Sequence, residues 1–266
     1  MKQTDSIQER AHWARTILSF SSRMAPLSRE VSEQLLGPDT RFENDRFKIR
    51  LASNPHRHRS ATLLVNRLYS ARGYTTHADG MPGSGPELIT LLVYDAEEQP
   101  IGTVTLGPDR GHGLLADGLF MRELDQIRQR PGARLLELTR FAMDRHRGNS
   151  KQVLATLINM AYLYTQWMGC NWMVIEVNPR HIGFYEDCMG FRLAGDEKIC
   201  PRVDAPAVLM VLDMAQSDAQ IRQLAGRRGR DEAGKSLYRY FLSEADAAQL
   251  ACELFGGADP IKKAAP

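Results

Sequence analysis

Long apolar runs are missing from this sequence. No window approaches ~18 uninterrupted apolar residues, so no membrane-spanning helix is expected. The N-terminal stretch, MKQTDSIQER, lacks the apolar core of a secretory signal. Cysteine is scarce: Cys170, Cys188, Cys200 and Cys252 are scattered, without a CxxC pair or a His/Cys cluster at zinc-ligand spacing. In a chain of 266 residues they read as reduced thiols, which excludes a disulfide framework and gives a cytoplasmic expectation. Net charge is small as well, at +2, so composition implies no nucleic-acid partner and electrostatic readings must rest on local patches. The basic run GRRGR (226–230) has few aromatics beside it and is followed at once by Asp231 and Glu232. It reads as a solvated linker. His56-Arg57-His58-Arg59 makes a poor metal site, because the flanking arginines repel a cation; no metal is expected.

What is present is the composition of an ordinary globular protein, 43% hydrophobic and 25% charged. Residues 1–44 read as a helical, mostly peripheral arm, with Ser28 capping a short helix that stops at Gly37-Pro38. FKIRLA (47–52) is the first regular strand of a domain over 45–215, followed by a helix from Ser60 to Ala71. THADGMPGSGP (76–86) is a loop by its Gly and Pro content. LITLLVYD and PIGTVTLG flank the turn 96–99 as a hairpin. A short helix in DGLFMRELDQIRQRPG leads to the strand LLELTRFAMD (135–144). A long helix over 151–168, apolar almost all round, ends at Gly169. The strand NWMVIEV (171–177), a second short helix in NPRHIGFYEDCMGF, and the strand AVLMVLDM (207–214) complete the domain. Residues 216–266 read as a basic linker and an amphipathic helix near 243–255. The order predicts an α+β fold: a central mixed sheet with helices on both faces. The long helix between LLELTRFAMD and NWMVIEV makes those two strands parallel.

Two charges in LLELTRFAMD need a reason, since an unpaired buried charge costs several kcal/mol. Glu137 and Arg140 lie three positions apart, on opposite faces of a regular strand.

The element order, with IRLA opening the domain and YDAEEQPIGTVTL as hairpin, resembles the GCN5-related N-acetyltransferase superfamily. NPRHIGFYEDCMGF resembles its late Asn…Tyr…Gly-Phe signature, and ELTRF is similar to the Glu-x-x-Arg-Phe strand of acyl-homoserine-lactone (autoinducer) synthases. Together with NRLYSARGY and CPRVDAPAVLMVLDM, these pieces most resemble the long-chain N-acyl amino acid synthases. Acetyl-CoA-dependent members carry a glycine-rich loop whose N–H groups cradle pyrophosphate at a helix N-terminus. Here the equivalent stretch, RHRGNSK (145–151), has a single glycine. That departure weighs against CoA and fits the synthases. The resemblance implies that these take an acyl group from the phosphopantetheine thioester of acyl carrier protein, with no further cofactor.

The expected activity is therefore acyl transfer from acyl carrier protein to the amine of an amino acid, with a product able to partition into membranes. Such chemistry needs a base for the ammonium proton, donors for the tetrahedral oxyanion and a route for the thiolate to leave. Glu137 is the candidate base. The resemblance also implies a β-bulge in this strand, freeing backbone N–H groups for the thioester oxygen. Arg140 could then hold the acceptor's carboxylate or Glu137 itself; a structural ion pair is the alternative. Thr139 and Phe141 border the same site. Tyr185 is the candidate acid for the leaving thiol, with packing as the alternative. Asn178 either touches substrate or caps the following helix.

Arg72, with Arg50, Arg67, Arg140 and Arg180, could seat a carboxylate. Arg145, Arg147 and Lys151, with His146, would form a basic rim for the acidic carrier protein, or else an ordinary solvated loop. Met160, Met168, Met173, Met189 and Phe191 read first as core packing and second as an acyl slot. Three other readings stand beside this one: an acyl-homoserine-lactone synthase, an acetyl-CoA-dependent acetyltransferase and a non-catalytic module that binds acyl groups or carrier protein. The first predicts an S-adenosylmethionine site, for which no convincing acidic pair precedes the hairpin.

Overall fold

The structure is a computed structural model that describes residues 16–19, 47–74, 88–111, 113–144, 150–226 and 235–255, with backbone only for 16–19 and 150–152. Eight strands form one sheet in the order β1-β2-β3-β4-β5-β6-β8-β7. They are β1 Thr16–Ser19, β2 Lys48–Leu51, β3 Ile89–Tyr94, β4 Pro100–Pro108, β5 Leu135–Met143, β6 Trp172–Val177, β7 Arg192–Cys200 and β8 Ala205–Asp213. The helices are α1 Pro55–Ser70, α2 Asp117–Arg128, α3 Ser150–Trp167, α4 Ile182–Met189, α5 Met214–Leu224 and α6 Glu244–Phe255. β5 and β6 are parallel with α3 between them, and every other neighbouring pair is antiparallel, so the sheet is mixed as expected.

Alternation along the strands assigns the two faces. Leu136, Leu138 and Ile175 join Leu157 and Ile158 of α3 in the main core. Their neighbours Leu135 and Val174 face Phe120, Leu124 and Ile127 of α2, while Leu92 and Tyr94 meet Ala61 of α1. One side of the sheet thus carries α1 and α2, and the other carries α3 with the C-terminal helices.

Several boundaries differ from the sequence reading. Residues 16–19 are an edge strand on β2, where the N-terminal arm reads as helical; the helix placed after Ser28 lies outside the described residues. α1 begins at Pro55, five residues earlier than expected, because the Asn54 side chain accepts the Arg57 N–H at 3.0 Å and Pro55 suits the first turn. β7 is a strand that periodicity missed. It is an edge strand whose charged residues Arg192, Asp196, Glu197 and Lys198 are all exposed or half-buried, and its Gly195 lies against the Phe120 ring, where a Cβ would sit 2.8 Å away. The boundary at 215 falls inside α5, whose Ile221 packs with Leu237, Tyr238 and Leu250 in the main core. The described residues of the C-terminal segment thus pack on the same core.

Candidate active site

β5 positions the site because its two neighbours treat it differently. On the β4 side, Thr103 pairs with Ala142 and Thr105 with Thr139, so Arg140 and Phe141 together oppose Val104. This is the bulge that the resemblance implied. Arg140 takes the left-handed conformation, φ 50°, at a cost of order 1 kcal/mol or more. The bulge re-aims the side chains that follow it. Arg140 turns toward α1, where His58 and Tyr69 are its electrostatic neighbours, and Phe141 goes to the main core. Glu137, Thr139 and Arg140 therefore share one face, which a regular strand forbids.

On the β6 side, pairing runs from Leu135–Trp172 to Leu138–Ile175 and stops. Beyond that point β5 continues with β4, and β6 continues with β8. The sheet splits one residue past Glu137. A cavity of about 490 Å³ occupies the split and is lined from both faces. Its polar arm, on the α1/α2 side, holds Glu137, Thr139, Arg140, Glu176, Cys200 and Arg202. Its apolar arm, on the α3 side, holds Leu138, Phe141, Leu154, Ile158, Ile175 and Phe184.

Glu137 is only 3% exposed. Its Oε2 accepts the Leu115 N–H at 2.7 Å and its Oε1 the Ala116 N–H at 3.1 Å, both from the turn that enters α2. Burial pushes its pKa up to about 7; the Leu115 N–H and Arg202 oppose that rise, and Glu176 adds to it. A carboxyl held near neutrality on a cavity wall is suited to moving protons.

The Glu137–Arg140 ion pair does not form: backbone N–H groups hold the carboxylate instead. Arg140 is left with Nε and Nη2 buried and without a hydrogen-bond partner among the described residues, and burial lowers its pKa. Such a guanidinium has the donors to pair with an anion.

The other expected residues divide. Thr139 and Phe141 line the cavity, and the Phe141 carbonyl accepts the Tyr69 hydroxyl at 3.3 Å. Tyr185 lines the apolar arm between Phe184 and Phe191, and burial holds its phenol well above the usual range, hence protonated. Asn178 also borders the cavity, but its Oδ1 accepts the Arg180 N–H at 3.2 Å and its Nδ2 donates to the Pro206 carbonyl at 3.1 Å, so it acts as a cap. Arg72 is exposed at the cavity wall and donates to the Leu68 carbonyl at 3.2 Å. Arg50 and Arg67 are committed to Glu98 and Asp144, and Arg180 to the Tyr74 hydroxyl at 2.5 Å. Met160, Met173, Met189 and Phe191 are buried in the main core and do not line the cavity. Arg145, His146 and Arg147 lie outside the described residues, as does the Lys151 side chain.

Sequence reasoning missed Glu176, Cys200 and Arg202. Arg202 forms an ion pair with Glu176 and donates to the Leu115 carbonyl at 3.1 Å. Burial and Glu176 push the Cys200 thiol up to about 11, which makes it a poor nucleophile at neutral pH. No spacing rule links the turn at 202 to a strand at 137; only the sheet order joins them.

Comparison with known proteins bears directly on this arrangement. The family model described as N-acyl amino acid synthase FeeM matches residues 60–213. The solved structure of FeeM, an N-acyl amino acid synthase from uncultured soil microbes, is 28% identical with a TM-score of 0.60, covering 66% of this chain and 96% of that one. A putative N-acetyltransferase from Lactobacillus plantarum (17% identity, TM-score 0.47, 63% and 98% covered) and the AHL synthase LasI (11%, 0.46, 64% and 91%) are also similar in structure. No curated protein sequence matches significantly. The fold is that of FeeM, the activity is acyl transfer, and the chain belongs to the FeeM family of N-acyl amino acid synthases.

Proposed function

We propose that the protein joins a fatty acyl group, delivered as the thioester of acyl carrier protein, to the amine of an amino acid. The observation that carries this reading is the split in the sheet, which sets a buried carboxylate and a guanidinium without a hydrogen-bond partner among the described residues in one polar arm beside a separate apolar arm. The acceptor's carboxylate pairs with Arg140. Glu137 takes the ammonium proton, directly or through one water, leaving a neutral amine. The amine attacks the thioester carbon and forms a C–N bond. Strand β5 has no β6 partner beyond Leu138, so its backbone donors are available to the oxyanion. The C–S bond then breaks, the thiolate, with a reference pKa of ~8.5, leaves with little assistance, and the second proton of the attacking nitrogen passes to that thiolate or to solvent as the amide forms. The protonated Tyr185 phenol is a proton source near the apolar arm. The acyl chain lies among Leu138, Leu154 and Ile158. Carrier protein is favoured over CoA as donor by the single glycine in RHRGNSK.

The test is to incubate the purified protein with a long-chain acyl carrier protein and the common amino acids, then analyse the products by mass spectrometry. An acylated amino acid is expected. Glu137→Gln should lower turnover by roughly 10²–10⁴-fold while carrier-protein affinity is retained. If wild type binds the acyl carrier protein but acylates nothing, the non-catalytic module is the correct reading.

A further inference from the structure

Arg202 stands in the turn between β7 and β8, far in sequence from Glu137, yet its guanidinium meets both groups that govern that carboxylate. One nitrogen donates to the Leu115 carbonyl at 3.1 Å, and the N–H of the same residue holds Glu137 Oε2 at 2.7 Å. The other pairs with Glu176, the second acid on the cavity's polar face. Glu176 follows the buried, α2-facing Val174 by two residues on β6, so both acids project to the same side of the split. The Glu176 side chain is 11% exposed, and without Arg202 its charge would stand beside Glu137 with little screening.

We infer that Arg202 is a positioning residue for Glu137: it clamps the turn that orients the carboxylate and masks the second negative charge beside it. This deepens the proposed function and rests on Glu137 acting there as base. The remaining charged neighbours are accounted for. Asp117 accepts the Leu114 N–H at 2.6 Å and is held by Arg128. Arg140 is flanked by His58 and Tyr69 on α1, and Cys200 lies against Glu176. None of these meets the Leu115 turn and Glu176 together.

The experiment titrates Glu137 by carboxyl NMR in substrate-free protein, and in parallel records kcat against pH. In Arg202→Met the Glu137 midpoint should rise by about one unit, since Glu176 loses its counter-charge. At pH 7 kcat should fall about tenfold and recover partly at higher pH, with KM for the acyl donor within twofold. Glu176→Gln in that background should bring the midpoint back, and Arg202→Lys should restore the midpoint more fully than kcat. Glu176→Gln alone should lower the midpoint, which keeps the test open if Arg202→Met fails to fold. An unmoved midpoint in folded Arg202→Met, or in Glu176→Gln, overturns the inference. The titration needs no substrate, so a protein that shows these shifts and acylates nothing overturns the proposed function and leaves the positioning role standing.

Discussion

Two arginines, one at the end of α2 and one in the β5 bulge, are treated in opposite ways. Arg128 meets Asp109 at 2.7 Å, Asp117 at 2.7 Å and Asp125 at 3.0 Å, and these carboxylates raise its pKa. Arg140 is more deeply placed and has two nitrogens with no partner among the described residues. The first cluster is complete in itself and fastens the Asp109 segment to α2. The second is incomplete among the described residues, and under the proposed function the acceptor's carboxylate completes it. The Arg128 charge is answered by carboxylates of its own chain, as is that of Arg202 by Glu176 on the cavity wall, whereas the Arg140 charge has no such answer among the described residues.

The largest effect should come from Arg140→Met. Losing a buried ionic contact to the acceptor should lower kcat/KM by roughly 100-fold. The melting temperature should hold or rise, because an unpaired buried charge has been removed. A large drop in stability instead would place Arg140 in the structural class. Arg128→Met should do the reverse and cost about 2 kcal/mol in urea unfolding, as three carboxylates lose their common partner. No loss would dissolve the contrast.

Next is pH. As the proposed base Glu137 must be ionised, so kcat should rise about tenfold between pH 6 and pH 8, in line with a carboxyl at about 7, and Glu137→Gln should lack this limb. The same group affects folding with the opposite sign. Its folded pKa is above its ordinary value, so its contribution to stability is greatest at low pH and declines as pH rises through about 7. The smallest effect is at Asn178. Its replacement by Ala removes a cap and should cost about 1 kcal/mol in stability, readable by thermal melting.

Much of the fold was legible because its central elements obey simple patterns. The hairpin β3–β4 is bounded by turn residues, and β5, α3 and β6 follow in an order that forces parallel pairing. β7 was not legible, since an exposed edge strand with a glycine at its centre carries little apolar alternation. Glu137 and Arg140 stood out as charges in an apolar strand, but their relation did not. A regular strand separates them, an ion pair would join them, and the bulge does neither: it sets them on one face as independent groups. Glu176 and Arg202 gave no signal at all, because a partly buried ion pair across 26 residues has no periodicity.

The passage between β5 and β6 has a kinetic consequence. Under the proposed function, an opening lined from both faces of the sheet would let a lipid tail enter from one side while a zwitterion enters from the other. Neither occupant has to depart before its counterpart arrives. Initial-rate plots for the two substrates should therefore intersect, as for an enzyme that fills both seats before any bond changes. Parallel lines would mean that the chain itself carries the acyl group for a time, a task for which the Cys200 thiol is poorly suited.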